Sequence, residues 1–322
     1  MTHKKIAELA HVSVSTVSKA LSGSREVSRE LTEEIKRIAI ETGYFQEKSR
    51  RRLMYEKDQQ VLIAIVCPEV ISIHYSRMIE SVKREAEKRN GRISVYIDDF
   101  DARKTNEIVQ TIAVRNEADG ILIFSSSGVK EKINLPMVCF GCPKEGEADT
   151  IYVDMHAVFA DIIAYLKGLG HTDIGFIGES NTQEKNKAYR WAMAEAGLPV
   201  REEHVYINDK RFEKIGYAAA EQMNADLPTA VIAAYDEVAL AAMHALEQRG
   251  IRVPEEISFV GINNIPSAEY FHTPLTTVEV FSDRQSEMAV EILFERILGE
   301  PSERKHILLP HQLICRKSVK AV

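Results

Sequence analysis

Two hydrophobic rhythms divide this chain. Near its start, Ile6, Leu9 and Ala10 fall at i, i+3 and i+4, the apolar edge of a short helix. After the break His11-Val12-Ser13, the residues Val14, Val17, Ala20 and Leu21 resume that spacing. A third stripe, Leu31, Ile35, Ile38 and Ala39, lies between Ser28 and Thr42 and is closed by Gly43. Ser13 and Ser28 stand where N-caps are needed. None of these helices can bury much alone. Together they predict a helix-turn-helix headpiece whose second helix enters a DNA major groove.

From Val61 the rhythm changes. Val61–Cys67 is a continuous apolar run, the mark of a strand buried on both faces. A helical pattern over 77–89, a strand over 93–97, a helix over 105–116 and strands over 120–124 and 137–140 follow. A second series alternates helices over 156–169, 185–196, 212–225 and 236–249 with strands over 174–178, 204–207, 230–234 and 257–262. The tail adds a helix over 283–298 and a strand over 306–316, which is expected to return to the first series. Strand–helix alternation of this kind predicts two doubly wound parallel sheets, so the fold class is α/β with an all-α N-terminal headpiece.

Charge is unevenly spread. The 322 residues carry a formal net charge of −7 and are 45% hydrophobic, ample for packed cores. Residues 1–58 hold twelve Lys and Arg against nine Asp and Glu, a net of +3, leaving 29 against 39, or −10, for the rest. A mildly basic head on an acidic body confines nucleic-acid contact to one end. No run approaches 18 apolar residues, and the helical pattern begins at once, so the expectation is a cytoplasmic protein. Cys139 and Cys142 have C-x-x-C spacing, but Cys139 lies in the apolar run Met137–Phe140 and no second ligand pair accompanies it. No metal or cofactor is expected.

The polar face of the second helix sharpens the reading. Ser15, Thr16, Ser18 and Lys19 are short donors and one cation, suited to phosphate oxygens and base edges. The run V-S-x-S-T-V-S-K-x-L, followed by V-S and a helix closing in G-Y, resembles the LacI/GalR family of bacterial transcription regulators. The resemblance implies that Val14, Ser15 and Lys19 read bases and that Thr16, Ser18 and Ser28 contact phosphate. Lys19 stands where the family usually has Arg, exchanging a planar fork for a point charge. The charged stretch 46–60 resembles the family's hinge, with Leu53 at the position of a leucine wedged into the minor groove and Arg51 at the usual Arg. Arg50 replaces a customary Ala, and Gln46-Glu47 replace the common Pro-Asn.

The resemblance covers the whole chain and extends to the fold of periplasmic sugar-binding proteins, in which a ligand sits between two lobes. Ligands of open parallel sheets lie beyond the carboxyl ends of the strands. Those ends supply hydroxyls, amides, a carboxylate and aromatics, including Tyr75 and Ser125, an inventory suited to a neutral polyhydroxylated molecule. By resemblance the main gripping residues are Lys185, in K-x-x-A-Y where R-x-x-G-F/Y is usual, the pair Tyr235-Asp236, and Asn263 where an acid is common. The stretch 263–268 with 274–278 looks similar to the galactose-responsive branch, which makes galactose or a galactoside the first expectation.

The function expected is therefore a sequence-specific DNA-binding repressor of sugar-utilisation genes, modulated by a small saccharide. Its division is a headpiece over 1–45, a linker over 46–60 and an effector-binding and dimerisation domain over 61–322. Within that domain the first subdomain takes 61–155 plus 283–318 and the second 156–280. Its partners are a double-stranded operator, the effector and a second copy in a C2 homodimer, since one headpiece needs a second half-site. No heptad-bearing tail follows the last strand, which argues for a dimer over a tetramer. A sugar-binding module without a gene-regulatory role, or a regulator answering to a nucleoside, stays open. An enzyme is not expected, because G-x-S-x-G, the G-x-x-x-x-G-K-[ST] loop and H-E-x-x-H are all missing. The acids Asp98, Asp99 and Asp101 read as a helix-capping loop.

Overall fold

The computed structural model describes residues 2–24, 26–44, 60–124, 133, 135–141, 148–224, 226–299 and 303–322. Three helices open the chain: α1 (His3–Leu9), α2 (Val14–Leu21) and α3 (Arg29–Glu41). Both serines cap as the sequence requires: Ser13 Oγ accepts from Thr16 N–H at 3.1 Å and Ser28 Oγ from Leu31 N–H at 3.3 Å. His11 turns the chain between α1 and α2 in the left-handed region, at φ 52°. Ile6, Val17, Ala20, Ile35 and Ala39 are fully buried and form the headpiece core, and Tyr44 and His3 close it with a hydrogen bond of 2.8 Å.

The chain then builds β1 (Val61–Cys67), α4 (Ile73–Glu87), β2 (Gly91–Ile97), α5 (Ala102–Arg115), β3 (Gly120–Ile123), β4 (Met137–Phe140) and β5 (Asp149–Val153). Next come α6 (Met155–Gly168), β6 (Ile174–Glu179), α7 (Gln183–Glu195), β7 (Val205–Asn208), α8 (Glu213–Gln222), β8 (Ala230–Ala233), α9 (Asp236–Gln248) and β9 (Ser258–Ile262). The last elements are α10 (Ser267–Tyr270), β10 (Thr276–Glu279), α11 (Ser282–Leu298), β11 (His306–Leu309) and β12 (Gln312–Ile314). Two six-stranded sheets result, ordered β11-β5-β4-β3-β1-β2 and β12-β10-β9-β8-β6-β7. The pairings of β1 with β2 and β3, β3 with β4, β4 with β5, β6 with β7 and β8, β8 with β9 and β9 with β10 run parallel, whereas β12 lies antiparallel on β10.

By compactness the chain forms two units, one of residues 1–152 with 283–307 and the other of 153–282 with 308–322. The single tail strand expected over 306–316 is broken at Pro310, a residue without an N–H for a ladder. Its first part joins the first sheet and its second the other, so residues 308–322 belong with the second unit, where the expectation had them through 318 in the first. Strands β5 and β10 were not legible as separate strands. Both are short, and each carries polar residues inward: Asp149 and Thr150 on β5, Thr276 and Thr277 on β10.

The second unit shows why its strands read as unbroken apolar runs. Phe176, Ile232 and Val260 face one cluster with Phe159 and Tyr189, while Ile177, Val231 and Phe259 face another with Met243 and Leu246. Alternate residues are thus buried on opposite faces. Helices α8 and α9 approach so closely that a Cβ on Gly216 would lie 2.5 Å from the Val238 carbonyl.

Candidate DNA-reading face and effector site

Helix α2 places the predicted DNA-contacting residues on its outer side. Val17 and Ala20 are buried, whereas Ser15, Ser18 and Lys19 are exposed and Thr16 is half-buried. Val14 is 47% exposed, an apolar side chain left in water at a helix start, where it can meet a thymine methyl. Thr16 Oγ1 lies 2.8 Å from Ser13 Oγ, so that hydroxyl is shared with the cap. Ser28, also exposed, accepts from Leu31 N–H at the start of α3. Lys19 Nζ is paired with Glu26 Oε2 at 2.5 Å, an acid the sequence reading did not single out. Arg51 and Leu53 of the expected hinge lie outside the described residues, as does Ser125 of the ligand set.

In the first unit, Tyr75 sits in the first turn of α4, behind the cap Ser72. Its ring stands 6.3 Å from Phe124 in a stacked arrangement and 6.5 Å from Phe100 edge-on, and Phe124 meets Phe140 at 4.9 Å. These rings lie at or just beyond the carboxyl ends of β1 to β4, where the fold predicts a ligand-facing surface. The acids beside them cap and turn the chain: Asp101 caps α5 through Arg103 N–H at 2.8 Å, and buried Asp98 accepts from Thr105 Oγ1 at 2.7 Å and Phe100 N–H at 3.1 Å.

The second unit gathers Lys185, Tyr235, Asp236 and Asn263 at the carboxyl ends of the adjacent strands β6, β8 and β9. Lys185, in the first turn of α7, donates to the Ala234 carbonyl at 2.6 Å and lies over the Tyr235 ring, 4.9 Å from its centre. Burial of the ammonium pushes its pKa down to about 8, against the pull of Glu237, Asp236 and Glu179. Asn263 is buried at φ 103°, and its N–H donates to the Val278 carbonyl at 2.9 Å. Asn264, also left-handed at φ 47°, is fixed by Arg316 and Glu279, each at 2.8 Å.

The sequence reading gave Asp236 to the ligand. In the structure it is fully buried, with Oδ1 accepting from the Thr277 hydroxyl at 2.5 Å and Oδ2 from Ile265 N–H at 2.8 Å. Burial pushes its pKa up to about 7, and Glu237 adds to the rise, while the two hydrogen bonds and Lys185 oppose it. Three further residues join this surface without having been singled out as gripping groups. Glu179, buried at the end of β6, pairs with Arg211 at 2.6 Å and accepts from Phe212 N–H at 2.6 Å. Arg211 lies over the Phe212 ring at 4.6 Å, and that ring stands 6.3 Å from Tyr235. Phe212 adopts φ 50° and ψ −127°, a conformation that favours glycine, and the Glu179 bond holds it there. Nothing in the run Asp209-Lys210-Arg211-Phe212 announces that turn.

Among the described residues no group of three or more His, Cys, Asp or Glu is placed to hold a metal ion. Burial raises the Cys139 thiol to about 12, with Asp149 adding to the rise, which is the behaviour of a core residue; Cys142 lies outside the described residues. No helix among the described residues is long and apolar enough to cross a membrane.

A capped helix-turn-helix joined to two parallel sheets, with polar and aromatic groups gathered at strand ends, defines the class: a DNA-binding regulator with an effector-binding body. Residues 2–46 match the profile of "Bacterial regulatory proteins, lacI family", and residues 163–319 that of a "Periplasmic binding protein-like domain". The chain is 30% identical to the HTH-type transcriptional repressor PurR of Vibrio campbellii, across 99% of this chain and 98% of that one. Among solved structures it superposes on the lac repressor dimer bound to operator and the anti-inducer ONPF with a TM-score of 0.72, at 20% identity over 100% and 99% of the chains. A LacI family regulator from Enterococcus faecium with bound ribose aligns at a TM-score of 0.71 and 21% identity, over 81% and 99%. The chain belongs to the lacI family of bacterial regulatory proteins, and it is a transcriptional repressor with an effector-binding domain, not an enzyme.

Proposed function

We propose that this repressor binds its operator as a C2 homodimer and that a small uncharged saccharide controls the binding. The observation that carries the saccharide reading is the charge balance at the second unit's strand ends. Two cations, Lys185 and Arg211, stand among Glu179, Glu237 and Asp236, so the cluster offers no net positive field to a phosphate or carboxylate. The chemistry gathered there is the Lys185 ammonium above a half-buried tyrosine ring, a phenylalanine ring nearby and the amides of Asn263 and Asn264, which suits hydroxyls and the C–H face of a sugar. Lys185, Tyr235 and Asn263 are the direct contacts in this reading, with Tyr75 and Ser125 assisting and Asp236 setting the frame.

Galactose or a galactoside is the first candidate on the likeness of residues 263–278. A nucleoside is the second, favoured by the stacked rings of Tyr75 and Phe124, which suit a flat base. On the DNA side, Val14, Ser15 and Lys19 read bases, Thr16, Ser18 and Ser28 hold phosphates, and Arg51 and Leu53 act in the minor groove. A ligand that binds one conformation of the body more tightly shifts the population and with it the DNA affinity.

A thermal-shift screen of the full chain against aldoses, disaccharides, sugar phosphates and nucleosides tests the effector class. A ligand at 100 times its Kd adds about 2.7 kcal/mol, enough to move the transition clearly. Stabilisation by neutral sugars and not by their phosphates is expected. Stabilisation confined to nucleosides or to phosphorylated sugars would overturn the saccharide reading.

A further inference from the structure

Lys19 lies on the exposed face of α2, beside Ser15 and Ser18, yet its ammonium is not a free charge. Glu26, seven residues on, places Oε2 2.5 Å from Lys19 Nζ, and both side chains are largely exposed, at 46% and 68%. Glu26 follows a fixed turn: Gly23 is left-handed at φ 76°, Ser24 N–H donates to the Lys19 carbonyl at 2.9 Å, and Ser24 Oγ accepts from Glu26 N–H at 3.3 Å. Gly23 and Ser24 thus turn the chain back toward the end of α2 ahead of the acid.

A carboxylate on a DNA-facing surface is costly near phosphates, and an exposed ion pair contributes little stability. Its presence needs another reason. We propose that Glu26 is a specificity-determining residue, which neutralises Lys19 away from the operator and so suppresses non-specific phosphate contact. On random DNA, Lys19 gains one phosphate by giving up one carboxylate, a near-even exchange. At the operator, base acceptors such as guanine O6 and N7 reward the ammonium directly, so the exchange becomes favourable only there. Glu26 thus widens the gap between specific and non-specific binding without touching the bases itself. This inference rests on the placement of Lys19 at the DNA.

The test measures binding of the full chain to a duplex of randomised sequence by fluorescence anisotropy across a series of KCl concentrations. Glu26→Gln removes the charge and keeps the side-chain shape; both partners are exposed, so the headpiece core is untouched. The variant is expected to bind random duplex roughly two- to fivefold more tightly. Its log–log salt slope should steepen by about one, the value for one added phosphate contact. In a Lys19→Ala background the same Glu26→Gln change should have no effect. An equal gain in both backgrounds would show a general charge effect and overturn the proposal, as would unchanged affinity and slope. If Lys19→Ala leaves the affinity for an operator duplex selected with the parent chain unchanged, the premise that Lys19 meets DNA fails, a result distinct from failure of Glu26 alone.

Discussion

Thr277 donates its hydroxyl to Asp236 Oδ1 at 2.5 Å, and the same hydroxyl oxygen accepts from Asn264 N–H at 3.3 Å. One side chain of β10 therefore joins the start of α9 to the turn that follows β9. With Ile265 N–H on its other oxygen, Asp236 is the node that fixes the strand ends around Lys185 and Asn263.

That node gives a pH signature. The folded-state pKa of Asp236 is raised to about 7, above its value of 3.8 in an unfolded chain. Its contribution to stability is fully present below the unfolded pKa and is lost as pH rises through about 7. Asp236→Asn removes this dependence while keeping one acceptor. The variant is expected to be less stable than the parent, by an amount larger at pH 5 than at pH 8. Urea melts of both proteins across that range would reveal it, and a constant difference at all pH values would refute the assignment.

Gly261 marks the same node from the strand side. A Cβ there would come within 2.9 Å of Leu275 Cδ2 and collide with Asp236 Oδ1, both fixed groups. Gly261→Ala is therefore expected to destabilise by about 2 kcal/mol or more, since the colliding atoms cannot swing aside. A chemical melt within 0.5 kcal/mol of the parent would show that Asp236 is not locked in place.

In the first unit, Arg296 of α11 grips Asp149 of β5 through two bonds of 2.7 and 2.8 Å, and Lys305 N–H adds a third at 2.8 Å. Burial opposes the charge on Asp149, but these donors outweigh it and hold the carboxyl below its usual range. This stability is present above the unfolded pKa and fades as pH falls. Arg296→Ala leaves a buried carboxylate with one donor, so a loss of about 3 kcal/mol is expected near neutrality. The loss should shrink as pH falls below 3.8, and denaturant melts at pH 7 and pH 3 would show whether it does.

Lys19→Ala is expected to cost roughly 1–3 kcal/mol of discrimination between the operator and single-base variants at the position it reads. Competition binding with a set of duplexes measures this directly. Selectivity equal to that of the parent would remove Lys19 from the base-reading set.

How far the sequence carries these conclusions depends on what each feature needs. The headpiece was legible residue by residue, because its stripe and its caps Ser13 and Ser28 act within a few positions of chain. Strands buried on both faces were legible for the same reason: Val61–Cys67 and Ile174–Gly178 carry their apolar character openly. Strands β5 and β10 hid behind polar residues whose partners are distant in sequence, Arg296 for Asp149 and Asp236 for Thr277. The positions of Tyr235 and Asn263 at strand ends followed from the strand pattern, while Lys185 was singled out only by its match to the family pattern. The Glu179–Arg211–Phe212 arrangement did not, since it depends on a left-handed Phe that composition gives no reason to expect. The family resemblance assigns Asp236 to the ligand, and its engagement of both oxygens depends on Thr277 and Ile265, which are distant in sequence.

The most direct test of the account joins its two halves in one experiment. An operator-containing duplex is selected from a random pool with the full chain, and its affinity is measured by anisotropy with and without galactose, ribose and adenosine. The parent and Lys185→Ala are compared in parallel. A neutral sugar is expected to change the parent's DNA affinity several-fold, while Lys185→Ala keeps the ligand-free affinity and loses the response. A response that persists in Lys185→Ala at the same ligand concentration would contradict the account and place the effector elsewhere on the body.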